Sequence, residues 1–193
     1  MRIRSLIIAF AAAVACVLAA ATSAYASAAP ATGIVRVQSN GHVVDHVVSA
    51  ALASKINSGD WRDLSMQQLA SAGIHPGMSS GGAAITAAAG PKIAPRSASG
   101  CNYSLYDAMC IYVFGSGLLV DDWDTSVSNY FALDKCSYAG YWVAGVLTGT
   151  SNVVCGNGDF WAYSTPAQYY INGTQLCNTW LGWAGKPCEK IES

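Results

Sequence analysis

The placement of cysteine constrains this chain more than any other feature of its sequence. Six of its seven cysteines lie in the last 93 of 193 residues. They are Cys101, Cys110, Cys136, Cys155, Cys177 and Cys188. An even number of cysteines at this density predicts three disulfides and an oxidising, extracellular environment. Many connectivities are open to six cysteines, and short loops favour neighbours in sequence: Cys101 with Cys110, Cys136 with Cys155, and Cys177 with Cys188.

Residues 1–26 have the pattern of a secretory signal peptide. A basic start leads into an apolar run from Leu6 to Ala21, and Ala24-Tyr25-Ala26 matches the small-x-small cleavage pattern. The mature chain is then expected to begin near Ser27, and Cys16 leaves with the signal, with lipid attachment at Cys16 as the alternative. No later run of about 20 apolar residues is present to cross a bilayer. We therefore expect a secreted, extracellular protein with no membrane partner after signal removal.

The remainder divides into three segments of different composition. Residues 27–75 contain a single aromatic, Trp61. Val43 to Ile56 has the apolar spacing of an amphipathic helix, and Ser65 with Gln68 three residues later predicts a capping box for a second short helix. We therefore expect a weakly structured, partly helical leader or pro-segment. Residues 76–100 are rich in Ala, Gly, Ser and Pro, which predicts a linker open to proteolysis near Arg96. Residues 101–193 contain the six paired cysteines and are expected to form the folded domain.

Residues 101–193 show strand-sized apolar runs separated by Gly and Asn turns. Cys110 to Phe114 and Leu118 to Trp123 flank Gly115-Ser116-Gly117, which is the pattern of a β-hairpin. Similar runs follow at a spacing of about ten residues. The predicted fold class is all-β: a small antiparallel sandwich or barrel with three disulfides, preceded by the weakly structured leader.

Charge disfavours several functions for this domain. Residues 101–193 contain eight acidic side chains, three lysines, and no arginine or histidine. An acidic surface repels phosphate, so nucleic acid and anionic membranes are not expected partners. The absence of histidine argues against a Ser-His site, and disulfide pairing leaves no thiol for cysteine catalysis. His42 and His46 have the helical spacing of a zinc motif, but they lie in the leader without a third ligand.

Aromatic residues are the most abundant candidates for recognition. Residues 101–193 contain nine Tyr, five Trp and three Phe, and many of these must form the core. Trp161, Trp183 and the pair Tyr169-Tyr170 lie in expected loops. Exposed aromatic planes on a rigid β scaffold stack on sugar rings or anchor a protein partner. These four residues are the predicted partner-binding set.

Carboxylates supply the enzymatic alternative. Glycosidases use two acidic residues and need neither His nor Arg. Asp121, Asp122, Asp124 and Asp159 offer such acids near aromatic residues. A small polysaccharide hydrolase is therefore the second hypothesis.

Two resemblances to known families add expectations. The C-terminal string NGTQLCNTW…GKPCEKI, from Asn172 to Ile191, together with the signal and the Ala-rich leader, resembles small secreted disulfide-rich proteins of actinobacteria, largely uncharacterised. That resemblance covers residues 101–193 and implies an extracellular disulfide domain without a known activity. The string Asp121-Asp122-Trp123-Asp124-Thr125-Ser126 is similar to the calcium pattern of bacterial βγ-crystallin-like proteins and related metalloprotease inhibitors. It implies calcium ligation by Asp121, Asp122, Asp124 and Ser126.

The first functional hypothesis is a secreted, non-enzymatic binding module. Its expected partner is an extracellular protein, as for an inhibitor or toxin-like effector, or a glycan of the cell wall. The hydrolase is the alternative, and a structural protein of the cell envelope is the third reading. No cofactor is expected apart from calcium, and the oligomeric state is left open.

Overall fold

A computed structural model describes residues 30–78, 85–89, 98–131 and 134–193. The expected signal peptide and the expected cleavage point near Arg96 lie outside these residues, as does most of the expected linker. Residues 31–193 form one compact unit. None of the helices in the described part of the chain is long and apolar enough to span a membrane.

Strands dominate the described residues, as the all-β prediction requires. In chain order they are β1 (Thr32–Ser39), β2 (His42–Ser49), β3 (Ile85–Ala89), β4 (Ala98–Tyr103), β5 (Asp107–Ser116), β6 (Leu119–Asn129), β7 (Asp134–Ser137), β8 (Ala139–Val143), β9 (Val146–Thr150), β10 (Val154–Asn157), β11 (Asp159–Ser164), β12 (Gln168–Tyr169), β13 (Gln175–Trp180) and β14 (Cys188–Lys190). Two short helices, α1 (Ala50–Ser58) and α2 (Met66–Ser71), follow β2.

The strands form two large sheets and one small one. The first sheet has the order β14-β13-β8-β9-β1-β2, and the second has the order β3-β11-β6-β5-β4 with β12 paired to β6. Strands β7 and β10 pair separately. Pairing is antiparallel except between β1 and β9, where Val37 lies opposite Leu147 in a parallel bridge. The prediction of an all-β fold with three disulfides is confirmed.

The main core lies between the two large sheets. Met109, Ile111 and Trp123 of the second sheet pack in the same buried cluster as Tyr141 and Trp180 of the first. These side chains alternate along their strands with residues that point to the opposite face of the sheet. The arrangement is a sandwich of two sheets.

A second core lies on the other face of the first sheet and includes the segment expected to be a weakly structured leader. Val35 and Val37 of β1 pack with Ile56 of α1 and with Trp61, against Trp142 of β8. The segment therefore contributes two strands and two helices to the same compact unit. Most residues of this second core come from the segment itself, and Tyr138 and Trp142 of the later chain add two large aromatic side chains.

Local signals in this segment are visible in the sequence with one exception. Ser65 is the N-cap of helix α2, and its side chain accepts from the Gln68 backbone N–H in the predicted capping box. Val43 to Ile56 has the spacing of one amphipathic helix, yet it divides at Ser49. The valine-rich first part pairs with β1 as β2, and Ser49 caps α1 by accepting from Leu52. Branched valines fit a strand better than a helix, which explains the division.

Three disulfides join the cysteines that loop length favours: Cys101–Cys110, Cys136–Cys155 and Cys177–Cys188. In each case the two cysteines lie directly opposite each other on neighbouring antiparallel strands. Their Cα atoms are 4.0–4.1 Å apart. Each disulfide therefore fixes the register of one strand pair. Three such bonds are typical of proteins from oxidising, extracellular environments.

Candidate functional site

The calcium-like string lies on strand β6 and not in a loop. Asp121 is exposed, Asp122 is half-buried, and Asp124 and Ser126 are buried. The register of β5 and β6 shifts at this point, because Phe114 pairs with Asp122 and Gly115 with Val120, which leaves Asp121 opposite no residue of β5. Ser126 lies 3.3 Å from the Tyr112 hydroxyl, within hydrogen-bonding distance. Within the described ranges, no group of three or more His, Cys, Asp or Glu is placed to hold a metal ion.

The predicted aromatic set is divided between surface and core. Tyr169 is 75% exposed on the short strand β12, and its neighbour Tyr170 is half-buried, with burial raising the pKa of its hydroxyl to about 12. Trp161 is half-buried and stacks on Tyr112 with ring centroids 5.4 Å apart.

Trp183 corrects the expectation of an exposed loop residue. It is 2% exposed and meets the Phe160 ring edge-on at 5.6 Å. The adjacent Trp180 and the turn at Gly182 direct this indole into the core between the sheets, so it is inaccessible to a partner.

An intersheet cleft opens between the two large sheets and has a volume of about 150 Å³. Its floor is aromatic and buried: Trp123 of β6 and Tyr141 of β8 meet edge-on at 4.9 Å. The Trp123 indole N–H donates to Asn178 at 2.8 Å, which fixes the orientation of the ring. Tyr170 completes the aromatic lining. The cleft therefore has rigid aromatic walls.

The polar groups that line the intersheet cleft are amides and hydroxyls, together with the Trp123 indole N–H. Gln38 and Thr148 come from the first sheet, and Ser164 and Gln168 from the second. No charged side chain is among the described residues that line it. The four acidic residues of the hydrolase hypothesis lie elsewhere, so that hypothesis has no support in this cleft.

Two buried tyrosine hydroxyls have no hydrogen-bond partner among the described residues. They belong to Tyr141, in the floor of the intersheet cleft, and to Tyr138, in the second core beside Trp61. Burial, with smaller contributions from Asp124 and Tyr163, raises the pKa of Tyr141 well above its usual value. The hydroxyl is therefore a neutral hydrogen-bond donor under ordinary conditions.

A second candidate surface is formed by the turn between β4 and β5 together with the loop that follows β6. It consists of large apolar side chains that are 58–86% exposed. We call this surface the aromatic tip, and its residues are Tyr103, Leu105, Tyr106, Tyr130 and Phe131. The rings of Tyr106 and Phe131 are 5.4 Å apart, and the Tyr130 N–H donates to the Tyr106 carbonyl at 3.1 Å. The two loops thus form one surface.

Several hydrogen bonds and one disulfide stabilise the turn that supports the aromatic tip. The Ser104 hydroxyl accepts from the backbone N–H groups of Tyr106 and Asp107 at 3.1 and 3.0 Å. The Ser104 N–H donates to the Asp107 carbonyl at 2.8 Å. Below the turn, Cys101–Cys110 ties β4 to β5. The tip is therefore displayed on a braced hairpin.

Sequence reasoning missed both the aromatic tip and the floor of the intersheet cleft. A usable signal for the tip was the string YSLYD between half-cystines nine residues apart, since Ser and Asp favour a turn and leave its large neighbours outside. The cleft has no comparable signal, because Trp123 and Tyr141 come from different sheets.

Comparison with known proteins gives no relative for this chain: no family model matches it, and no curated protein or solved structure does so significantly. Function must therefore be argued from the two surfaces.

Proposed function

We propose that this protein is a secreted binding module that recognises an extracellular protein through the aromatic tip. The observation that supports the proposal is a group of five large apolar side chains, all at least 58% exposed. Three of them lie at the disulfide-braced turn between β4 and β5, and two lie in the loop after β6 that contacts this turn. Scattered apolar residues are normal on a protein surface, whereas a clustered patch marks an interaction site.

The size of the aromatic tip fits a protein interface. A large aromatic side chain presents about 150–250 Å², so five side chains exposed to this extent offer on the order of 600 Å². A standard interface buries about 800 Å² on each partner. The tip thus supplies most of one side of such an interface, and the polar residues around it form the remainder.

The chemistry of the aromatic tip also favours a protein. Tyrosines are enriched among residues that dominate binding energy, and three of the five tip residues are Tyr. Because the tip protrudes on a turn, the complementary surface is a concave apolar pocket. The excess of acidic residues in this half of the chain disfavours an anionic membrane as the occupant.

Rigidity supports binding further. A loop that is already ordered loses less conformational entropy when it binds. The bonds around Ser104 and the Cys101–Cys110 disulfide hold the tip before a partner arrives. This arrangement resembles an inhibitor loop in its mechanics, although the proposal extends only to protein binding.

The test compares three forms of the full chain as immobilised baits in the spent medium of the source organism. The forms are the unaltered protein, the tip variant Tyr103→Ser/Leu105→Ser, and the control variant Tyr169→Ser/Ile171→Ser. The control removes side chains of nearly equal exposure, 75% and 82% against 75% and 86%, from another surface. Thermal melts establish that all three are folded.

We expect a protein that is retained by the unaltered and control forms and lost from the tip variant. After purification, that protein should bind the tip variant at least about tenfold more weakly, which corresponds to about 1.4 kcal/mol. Equal retention by all three forms would contradict the proposal. So would a self-associated state of the unaltered protein that the tip substitutions dissolve, because the occupant would then be a second copy of this chain.

A further inference from the structure

One of the three disulfides lies on the surface of the protein. Cys136 and Cys155 are both exposed. In the other two disulfides one partner is buried, since Cys110 is 8% exposed and Cys177 is 4% exposed. Exposed disulfides are the ones that external thiols reduce most readily, because exchange needs direct access to a sulfur atom. The Cys136–Cys155 bond is therefore the accessible one of the three.

The small sheet formed by β7 and β10 explains why this disulfide faces solvent. Cys136 lies opposite Cys155, and the neighbouring pair is Ser137 opposite Val154. Side chains alternate between the two faces of a strand. Ser137 and Val154 are buried, and the Ser137 hydroxyl donates to the Leu181 carbonyl at 2.7 Å. Their face of the sheet is turned toward the protein, so the disulfide lies on the face turned toward solvent.

Attack on this disulfide requires no opening of the fold. Val154 remains in the core between the large sheets, and the strand pairing of β7 with β10 does not depend on the sulfur atoms. Cys177, by contrast, is part of the second core, where a thiol reaches the sulfur only after local unfolding. Reaction at the exposed disulfide also leaves Cys101–Cys110 intact, and with it the bracing of the aromatic tip.

Charge beside the disulfide determines which thiols can approach it. Asp134 is exposed and lies two residues before Cys136, on the same face of β7. Asp159, just after β10, is also exposed and adds charge of the same sign. Lys135 points to the opposite face, where its ammonium nitrogen is 4.7 Å from the centroid of the Trp183 ring. An anionic thiol is therefore repelled from the solvent face of this sheet.

We propose that the Cys136–Cys155 disulfide is a site of thiol–disulfide exchange with small thiols, and that it reacts faster with cationic or neutral thiols than with anionic ones. The thiolate of the small molecule attacks one cysteine sulfur and forms a mixed disulfide. The bond between the two cysteines breaks, and the other sulfur leaves as a thiolate that takes a proton from water. A second small thiol then displaces the protein sulfur, which yields a small-molecule disulfide and two cysteine thiols.

The test measures the reaction of the folded protein, purified from culture medium, with three two-carbon thiols of different charge. They are cysteamine, 2-mercaptoethanol and 2-mercaptoethanesulfonate. Trapping with N-ethylmaleimide at intervals, followed by peptide mass spectrometry, gives the rate for each cysteine. Each rate is divided by the rate of the same thiol with bis(2-hydroxyethyl) disulfide, which removes differences in intrinsic reactivity.

Two variants test the role of charge. Asp134→Asn removes the carboxylate beside the disulfide, and the control Asp121→Asn removes an exposed carboxylate on β6. Both changes replace a surface carboxylate with an amide of the same size, and thermal melts establish that both variants are folded.

We expect Cys136 and Cys155 to be labelled at least about tenfold faster than the other four disulfide-bonded cysteines. At an ionic strength of about 0.01 M, the normalised rate should fall about two- to threefold for each added negative charge on the thiol, as for a charge about 7 Å away in water. Asp134→Asn should reduce this dependence and Asp121→Asn should leave it unchanged. Salt at about 1 M should remove it.

Several results would overturn the proposal. Labelling of all six cysteines at similar rates, or of another pair first, would show that Cys136–Cys155 is not the exchange site. A normalised rate that is independent of thiol charge, or a charge dependence that Asp134→Asn leaves unchanged, would contradict the selectivity. None of these results bears on protein binding at the aromatic tip, because the two sites share no residue.

Discussion

Trp61 is the residue that binds the N-terminal segment to the sandwich. It is fully buried, its indole N–H donates to the Ile56 carbonyl at 3.2 Å, and its ring meets Tyr138 and Trp142 edge-on at 6.3 and 6.2 Å. Gly140 permits this approach, because a Cβ there would lie 2.8 Å from the Trp61 ring. One aromatic residue thus fills the space that a glycine leaves open.

Replacing Trp61 with Ala should lower the free energy of unfolding by about 3–5 kcal/mol, because it removes a large buried side chain and leaves a cavity. Urea denaturation followed by circular dichroism measures the change. The exposed Met66→Ala, in the same segment, is the control and should change stability by less than about 0.5 kcal/mol. A loss below about 1 kcal/mol for Trp61→Ala would show that the segment packs only loosely on the sheet.

Lys186 is a second residue whose behaviour follows from its surroundings. Its Nζ lies 3.6 Å from the centroid of the Trp142 ring and donates to the Asn57 carbonyl at 3.0 Å. Burial lowers the pKa of this amine to about 8. The ring and the carbonyl favour the charged form, but burial opposes it more strongly.

The sign of the resulting pH dependence follows from proton binding. An unfolded Lys has a pKa of about 10.4, so between pH 8 and about 10.4 the unfolded state binds more protons than the folded one. This group should therefore add stability as pH rises through that range. Urea denaturation of the unaltered protein and of Lys186→Met at several pH values measures this effect. The unfolding free energy of the unaltered protein should increase relative to that of Lys186→Met as the pH rises. A difference that stays flat would contradict the lowered pKa.

Among the elements, hairpins are the parts that the sequence predicts best. The predicted β5–β6 hairpin is present, but its turn lies at Gly117-Leu118, because Gly115 and Ser116 belong to β5. The Ser65 cap of α2 is as expected. Such features depend on neighbouring residues alone. The assignment of Val43 to Ile56 to one helix was wrong, because the pairing of β2 with β1 outweighs a helical spacing.

Removal of the Cys101–Cys110 disulfide should affect the aromatic tip more than the rest of the fold. The double variant Cys101→Ala/Cys110→Ala should lose about 2–3 kcal/mol of stability, and its tip amides should exchange faster with deuterium. The matched control is Cys177→Ala/Cys188→Ala, which opens a loop of similar separation, 11 residues against 9. Hydrogen exchange checks both, and unchanged protection at Leu105 and Tyr106 in the first variant would refute bracing by this disulfide.

At the scale of the whole molecule, the cysteines predict a folded domain that starts at residue 101, yet residues before that position also belong to the packed core. Val35, Ile56 and Trp61 share a buried cluster with Tyr138 and Trp142. This could not be read from the sequence, since residues 27–75 look too poor in large apolar side chains to fold. Their core is completed by residues about 80 positions later in the chain. Long-range pairing of this kind leaves no local signal.

A chain reduced to residues 97–193 should therefore not fold cooperatively. Without the N-terminal segment, the large aromatic residues on the outer face of the first sheet would be exposed to water. The thermal melt of the shortened chain should lack the sharp transition of the longer one, with its disulfides intact in both. A melting temperature within a few degrees of that of residues 27–193 would show that the segment is dispensable.

Some residues of the candidate sites can be predicted from their neighbours in sequence, whereas others are brought together only by the fold. The sequence predicts Tyr169 and Tyr170 as loop residues; Tyr169 instead lies on the short strand β12, and Tyr170 lines the intersheet cleft. Trp183 was misassigned to the surface, since flanking glycines say nothing about which side of a turn is covered. The aromatic tip joins two loops that are about 25 residues apart, and only the fold brings them together.

Protein binding at the aromatic tip is tested most directly by the hydrogen-exchange footprint of the purified partner on the full chain. We predict new protection at residues 103–107 and 130–131, with no change at residues 168–171 on the other exposed aromatic surface. Protection that leaves the tip unchanged and lies elsewhere on the chain would contradict the assignment of this surface.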